Sequence, residues 1–157
     1  MKNKKDSKLL IIIFIIAILV LLDQIIKIYI SNTMYNSSKV LIKGVLNFTY
    51  VENIGGAFGI GNNVLILIIV NIILIFLLLK FIISKINKTS THLLVPISLI
   101  IAGGIGNLID RIFRGYVIDY IDINPLFRYP VFNFADICIV LGVIFIIIEL
   151  VIYKEKL

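Results

Sequence analysis

A chain of 157 residues that is 61% hydrophobic and 15% charged, with a net charge of +6 and a mean hydropathy of +1.12, lies far outside the composition of a water-soluble domain. Several of its apolar runs approach or pass the roughly 18 to 20 residues that cross a bilayer, so a soluble enzyme is excluded and one compact polytopic membrane domain is expected. The basic residues gather at the ends of these runs and form no stripe interleaved with stacking aromatics, which excludes nucleic acid as a partner.

Lys2, Lys4, Lys5 and Lys8 precede an unbroken apolar run from Leu9 to Leu22. No small-residue cleavage site follows, and apolar character continues past Asp23 and Gln24 to Ile30, so the segment 9–30 reads as a retained span and not a removable signal. Asp23 and Lys27 stand four apart on one helical face, in the acid-first order that favours pairing. This pair suits a structural role at the interface and a place beside an active site equally well.

Residues 31–63 form the longest polar interval. Between Val40 and Tyr50 the sequence is rich in β-branched and aromatic residues, and Gly55, Gly56, Gly59 and Gly61 supply turns, so a few short strands folded onto the membrane surface are expected. A second span covers 64–83, interrupted by Asn71 and Lys80. A third covers 92–109, with Pro96 near its start and Gly103, Gly104 and Gly106 near its end, where small residues let helices approach closely. The fourth covers 137–153. The only histidine, His92, lies at the far end of its span from most of the acids, Glu149 is expected to snorkel to an interface, and Cys138 has neither a second thiol nor a metal partner.

Nine of the fifteen basic residues lie at the N-terminus, from Lys80 near the end of the second span to Lys88 in the turn after it, and at the C-terminus. Lysine and arginine excess marks the cytoplasmic side, so both termini are expected there, with 31–63 and 110–136 on the opposite, extracytoplasmic side. Asp23, Glu52, Asp110, Asp119, Asp122 and Asp136 then meet at one outward face.

The chemistry available at that face is narrow. The sequence has no serine beside a histidine, no activated thiol, no zinc motif and no complete nucleotide loop, so no metal or cofactor is expected. Paired carboxylates remain: two aspartates a few ångströms apart cannot both ionise easily, so one keeps a proton while the other takes one from water, which suffices to hydrolyse a peptide bond. Asp110, followed by Arg111 at a helix end, suits a structural pair, and Asp122 reads as solvated. Asp119 follows apolar Val117 and Ile118, and Asp136 opens a span where the positive end of the helix dipole favours negative charge. The residues favour Asp119 with Asp136 and leave the choice open. A proton-coupled transporter, the rival use of intramembrane acids, calls for acids spread through the membrane depth; here they collect at one face, and no internal repeat is visible.

Five motifs in order carry a resemblance over nearly the whole chain: Asp23-Gln24 with Lys27, Asn53-Ile54-Gly55-Gly56-Ala57-Phe58, Gly106-Asn107-Leu108-Ile109-Asp110-Arg111, Val117-Ile118-Asp119, and Phe132-Asn133-Phe134-Ala135-Asp136. The chain resembles the bacterial lipoprotein signal peptidases, or signal peptidase II family. The resemblance implies an aspartyl endopeptidase of four transmembrane helices with a small extracytoplasmic β-structured subdomain and a lid-like loop, the last expected at Pro125–Pro130. It implies that Asp119 and Asp136 form the dyad, with Asp23, Asn53, Asn107, Asp110, Arg111 and Asn133 supporting or lining the site. The implied substrates are diacylglyceryl-modified prolipoproteins cut just before the lipidated cysteine, at the outer face of a bacterial plasma membrane, by a monomer among membrane lipids. Tyr120 stands where the family commonly has phenylalanine, and Gly56 where alanine is frequent.

Overall fold

The computed structural model describes residues 2–55, 63–87 and 91–152. Along the chain, α1 (Lys2–Met34) leads through strands β1 (Ser38–Ile42) and β2 (Leu46–Asn53) to α2 (Val64–Lys85) and α3 (Thr91–Phe113), then β3 (Val117–Asp122) and α4 (Phe134–Ile152). All four helices are long and apolar enough to cross a membrane, which makes this a multi-pass membrane protein with a small sheet at one end of its bundle.

The helices run beyond the sequence expectation at several ends: α1 reaches Met34, α3 reaches Phe113, and α4 begins at Phe134. The added turns are polar or amphipathic, so hydropathy ends before the hydrogen-bonded helix does. Asn36 stops α1 by taking a left-handed φ of 51°, and Ser37 N–H returns to Met34 C=O at 3.0 Å. Asn63 starts α2 by accepting from Leu65 and Ile66 N–H.

Helix α3 is central, packing on α1, α2 and α4. In lipid the association of apolar helices draws little from hydrophobicity, so close packing and interhelical hydrogen bonds decide it. Gly103 supplies the first: a Cβ there would stand 2.3 Å from Ala135 C=O on α4. Asn71 supplies the second, its amide donating across to Gly104 C=O at 2.9 Å. Ile12, Ile82, Leu93, Leu94 and Ile101 fill the bundle at the end away from the sheet.

The sheet has the order β1-β2-β3 and is antiparallel throughout. Its third strand was not foreseen. Val117–Asp122 pairs with β2 so that Asp119 lies opposite Val51 and Val117 opposite Asn53. Strand alternation turns Ile118 and Tyr120 into a buried cluster with Ile30, Met34 and Tyr50, and sends Asp119 to the other face. The sheet is thereby seated on the end of α1.

Candidate active site

The first turn of α4 organises the site. A helix N-terminus leaves backbone N–H groups without partners, and here side chains from three elements meet them. Asn133 is the N-cap: its Oδ1 accepts from Asp136 N–H at 3.0 Å, while Asp136 Oδ2 accepts from Asn133 N–H at 3.1 Å, a reciprocal capping box. Asp23 of α1 accepts from Ala135 N–H at 3.1 Å. Tyr120 of β3 accepts from Phe134 N–H through its hydroxyl at 3.2 Å. Asp136 is therefore held by the backbone geometry that begins its own helix.

Asp119 is joined to this turn through the same cap. Asn133 Nδ2 donates to Asp119 Oδ1 at 2.7 Å and to Asn107 Oδ1 at 3.1 Å, and Asn107 Nδ2 donates to Asp136 Oδ1 at 2.8 Å. Asn53 at the end of β2 donates to Asp119 Oδ2 at 2.8 Å, with its own carbonyl fixed by Gly55 N–H. Both aspartates are thus held by amides. They line one cavity of about 260 Å³ with Asn53, Asn107, Arg111 and Pro130, and its wall continues along α4 to Ile139 and Val140. A second recess, lined by Val51–Gly55, shares Asp119, Pro130 and Val131 with the first. Burial, followed by the nearby charge of Asp136, pushes the Asp119 carboxyl up to about 7 against the pull of its two amide donors.

Beneath the cavity lies an ionic network of different character. Lys27 is fully buried, and its ammonium donates to Asp23 Oδ2 at 2.9 Å, Asp110 Oδ2 at 2.9 Å and Asn107 Oδ1 at 3.0 Å. Asp110 also pairs with Arg114 and accepts from Gln24 Nε2 and Ile118 N–H. Gly106 makes room for this knot, since a Cβ there would stand 2.5 Å from Asp23 Oδ2.

The structure brings Asp23, Asn53, Asn107, Asp110, Arg111, Asp119, Asn133 and Asp136 together at one end of the bundle. Asp110 forms a buried structural pair, its partners being Lys27 and Arg114, the latter because four residues along a helix return a side chain to the same face. One expectation is corrected. Asp122 is buried and not solvated: although burial pushes its carboxyl up, hydrogen bonds from Asn124 and Thr49 hold it below the usual range. Arg111 instead reaches Gly55 C=O at 3.3 Å, and among the described residues its Nε is a buried donor with no hydrogen-bond partner. His92 and Glu149 line a separate cavity with Phe145 and Pro96. Residues 56–58 of the second motif lie outside the described residues.

Gln24, Arg114 and Tyr120 are contributors that sequence reasoning missed. The spacing of Asp110 and Arg114 was a legible signal, the same one that marks Asp23 with Lys27. The Tyr120 contact had none, because it joins a strand to a helix start fourteen residues away.

Residues 15–152 match the family model described as signal peptidase (SPase) II. The chain is 40% identical over 148 residues to the lipoprotein signal peptidase of Clostridioides difficile, covering 92% of this chain and 97% of that one. It is 40% identical over 141 residues to that of Halothermothrix orenii, covering 87% and 92%. It is also similar to a solved bacterial membrane enzyme structure obtained by the in meso method at 1.9 Å, with a TM-score of 0.81 and 38% identity over 90% of this chain and 92% of that one.

Proposed function

The chain belongs to the signal peptidase II family of aspartic peptidases, which remove signal peptides from prolipoproteins, and from that premise we propose that Asp119 and Asp136 are its catalytic dyad. The observation that carries the assignment is their shared cavity, in which each carboxylate is bound by amides and, among the described residues, makes no ion pair.

An aspartate titrating at about 7 beside a second carboxylate supports a dyad holding one proton at neutral pH, the proton belonging to the pair. The ionised carboxylate takes a proton from water as the water oxygen attacks the scissile carbonyl carbon. The protonated partner donates to the developing oxyanion. Collapse of the tetrahedral intermediate breaks the C–N bond, and the leaving nitrogen takes the proton gained from water. Asn53, Asn107 and Asn133 orient the two acids, and Arg111 lines the cavity beside them.

The substrate is a prolipoprotein carrying diacylglycerol on the cysteine that follows the cut. The cavity wall along Ile139 and half-exposed Val140 supports lateral access for its acyl chains from lipid, and the two recesses flanking Asp119 suit an extended peptide passing beneath Pro130 and Val131. The segment Pro125–Pro130 acts as a lid. The protein is a monomer in a bacterial plasma membrane with both termini cytoplasmic and the dyad outward, as the lysine distribution suggests.

The test is cleavage of a diacylglyceryl-modified prolipoprotein peptide by the purified, reconstituted protein. Asp119→Asn and Asp136→Asn are each expected to lose about 10³-fold or more while staying folded, since acid–base groups contribute about 10²- to 10⁴-fold apiece and here both act on one bond. Glu149→Gln, in the distant cavity, is expected to cleave like wild type. Retention of activity by either aspartate variant would overturn the assignment.

A further inference from the structure

The hairpin of β1 and β2 displays an apolar edge that nothing in the site requires. All five residues of β1 are exposed; Val40 is 62%, Leu41 43% and Ile42 54% accessible, and Val45 in the turn is 37% accessible. As the outer member of a three-stranded sheet, β1 also leaves one row of backbone groups unpaired. In water such a strand is an aggregation hazard, and the usual remedies are covering it or charging it.

Two exposed lysines, Lys39 and Lys43, bracket the apolar triplet, and the sequence from Tyr35 to Tyr50 contains no acidic residue. Exposed Tyr35, at the foot of the hairpin just beyond α1, is an amphipathic residue of the type enriched where membrane meets water. Because α1 is long and apolar enough to cross the bilayer and the hairpin follows after three residues, the hairpin has no reach to leave the bilayer surface.

We propose that the β1–β2 hairpin is a lipid-docking element, its apolar triplet seated in the headgroup region and Lys39 and Lys43 bound to the phosphates of anionic lipids. Apolar burial supplies contact with any bilayer, and the lysines add selectivity for negative headgroups. The contact bears on the site because β2 runs from the docked turn to Asn53, which holds Asp119. Lipid charge thereby acts on the rigidity of one wall of the cavity.

The full chain, carrying Cys138→Ala and Val45→Cys labelled with an environment-sensitive fluorophore, would be reconstituted in vesicles of phosphatidylcholine alone or with phosphatidylglycerol. Quenching by lipids bearing a shallow nitroxide and by aqueous iodide reports where the hairpin tip resides. Lipid quenching is expected in both vesicles and is expected to strengthen with phosphatidylglycerol. Lys39→Gln with Lys43→Gln is expected to abolish that increment, at about five-fold in partition per lysine. Soluble glycerol phosphate, which offers the same anion without a surface, is expected to leave the probe unchanged. Iodide quenching of a fully hydrated tip in anionic vesicles, or an increment that survives the double substitution, would overturn the proposal. The fluorescence reading is independent of which aspartates cleave.

Discussion

The two sets of buried carboxylates in this protein face opposite fates. Asp23 and Asp110 are tied to Lys27, and Asp110 also to Arg114, in a knot whose two carboxylates and lysine are fully buried. Asp119 and Asp136, one layer above, receive amide hydrogen bonds alone among the described residues and open onto a cavity. A carboxylate held against a buried cation is fixed in its place, because breaking the pair would strand the cation. A carboxylate held by amides is positioned without being pinned to one charge state, and reversible proton exchange requires that freedom. Asn107 and Asn133 join the layers, carrying the rigidity of the ion network upward without its charge.

The sharpest way to break this comparison is Lys27→Met. Removing the shared cation leaves Asp23 without an ionic partner in the bundle interior, and breaking a buried pair from one side costs about 3–5 kcal/mol. The expected outcome is a large loss of thermal stability in detergent, with activity falling only through loss of folded protein. A variant that melted like wild type but failed to cleave would move Lys27 from the frame into the chemistry.

A smaller effect sharpens the upper half. Asp119 titrates at about 7, above the value near 4 of an unfolded aspartate. The native state therefore retains a proton that the unfolded chain has lost. The resulting stabilisation is full below about pH 4 and is lost as pH rises through about 7. Melting temperatures of wild type and Asp119→Asn, followed across that window, should diverge in slope, the wild type falling more steeply. Cleavage by wild type should also decline above about pH 7 as the dyad loses its shared proton. Parallel melting profiles would mean that Asp119 does not exchange its proton between native and unfolded states in this window.

Much of this arrangement was legible because membranes impose coarse rules. Runs such as Leu9–Leu22 announce spans, and the i,i+4 spacing of Asp23 and Lys27 announced a pair that the structure contains. The glycines of α3 announced close packing. Strand β3 stayed hidden because six residues with three apolar positions fit a short strand and a helix end equally well. The capping box of Asn133 and Asp136 was obscured when the fourth span was begun at 137, where hydropathy rises, although the polar cap three residues before Asp136 carries the helix-start signal. Asp122 misled for a related reason: its burial comes from Thr49 and Asn124, and the Thr49 contact spans 73 residues of sequence.

Tyr120 gives the finest test of how the two layers are joined. Strand alternation puts Asp119 and Tyr120 on opposite faces of β3, yet both reach the start of α4, one through Asn133 and the other through Phe134 N–H. Tyr120→Phe keeps the buried ring and its edge-on contact with Phe48 while removing only the hydroxyl. The freed amide is one of several at that helix start, and the capping box remains, so the loss is bounded by one unsatisfied donor, about 1–3 kcal/mol at most. The expected result is a decrease in kcat of less than about ten-fold with KM unchanged, since the hydroxyl aligns Asp136 without touching substrate. A loss as large as that of Asp119→Asn would bring the phenol into the proton chemistry itself. An unchanged kcat would leave Asn133 as sufficient to align the two aspartates.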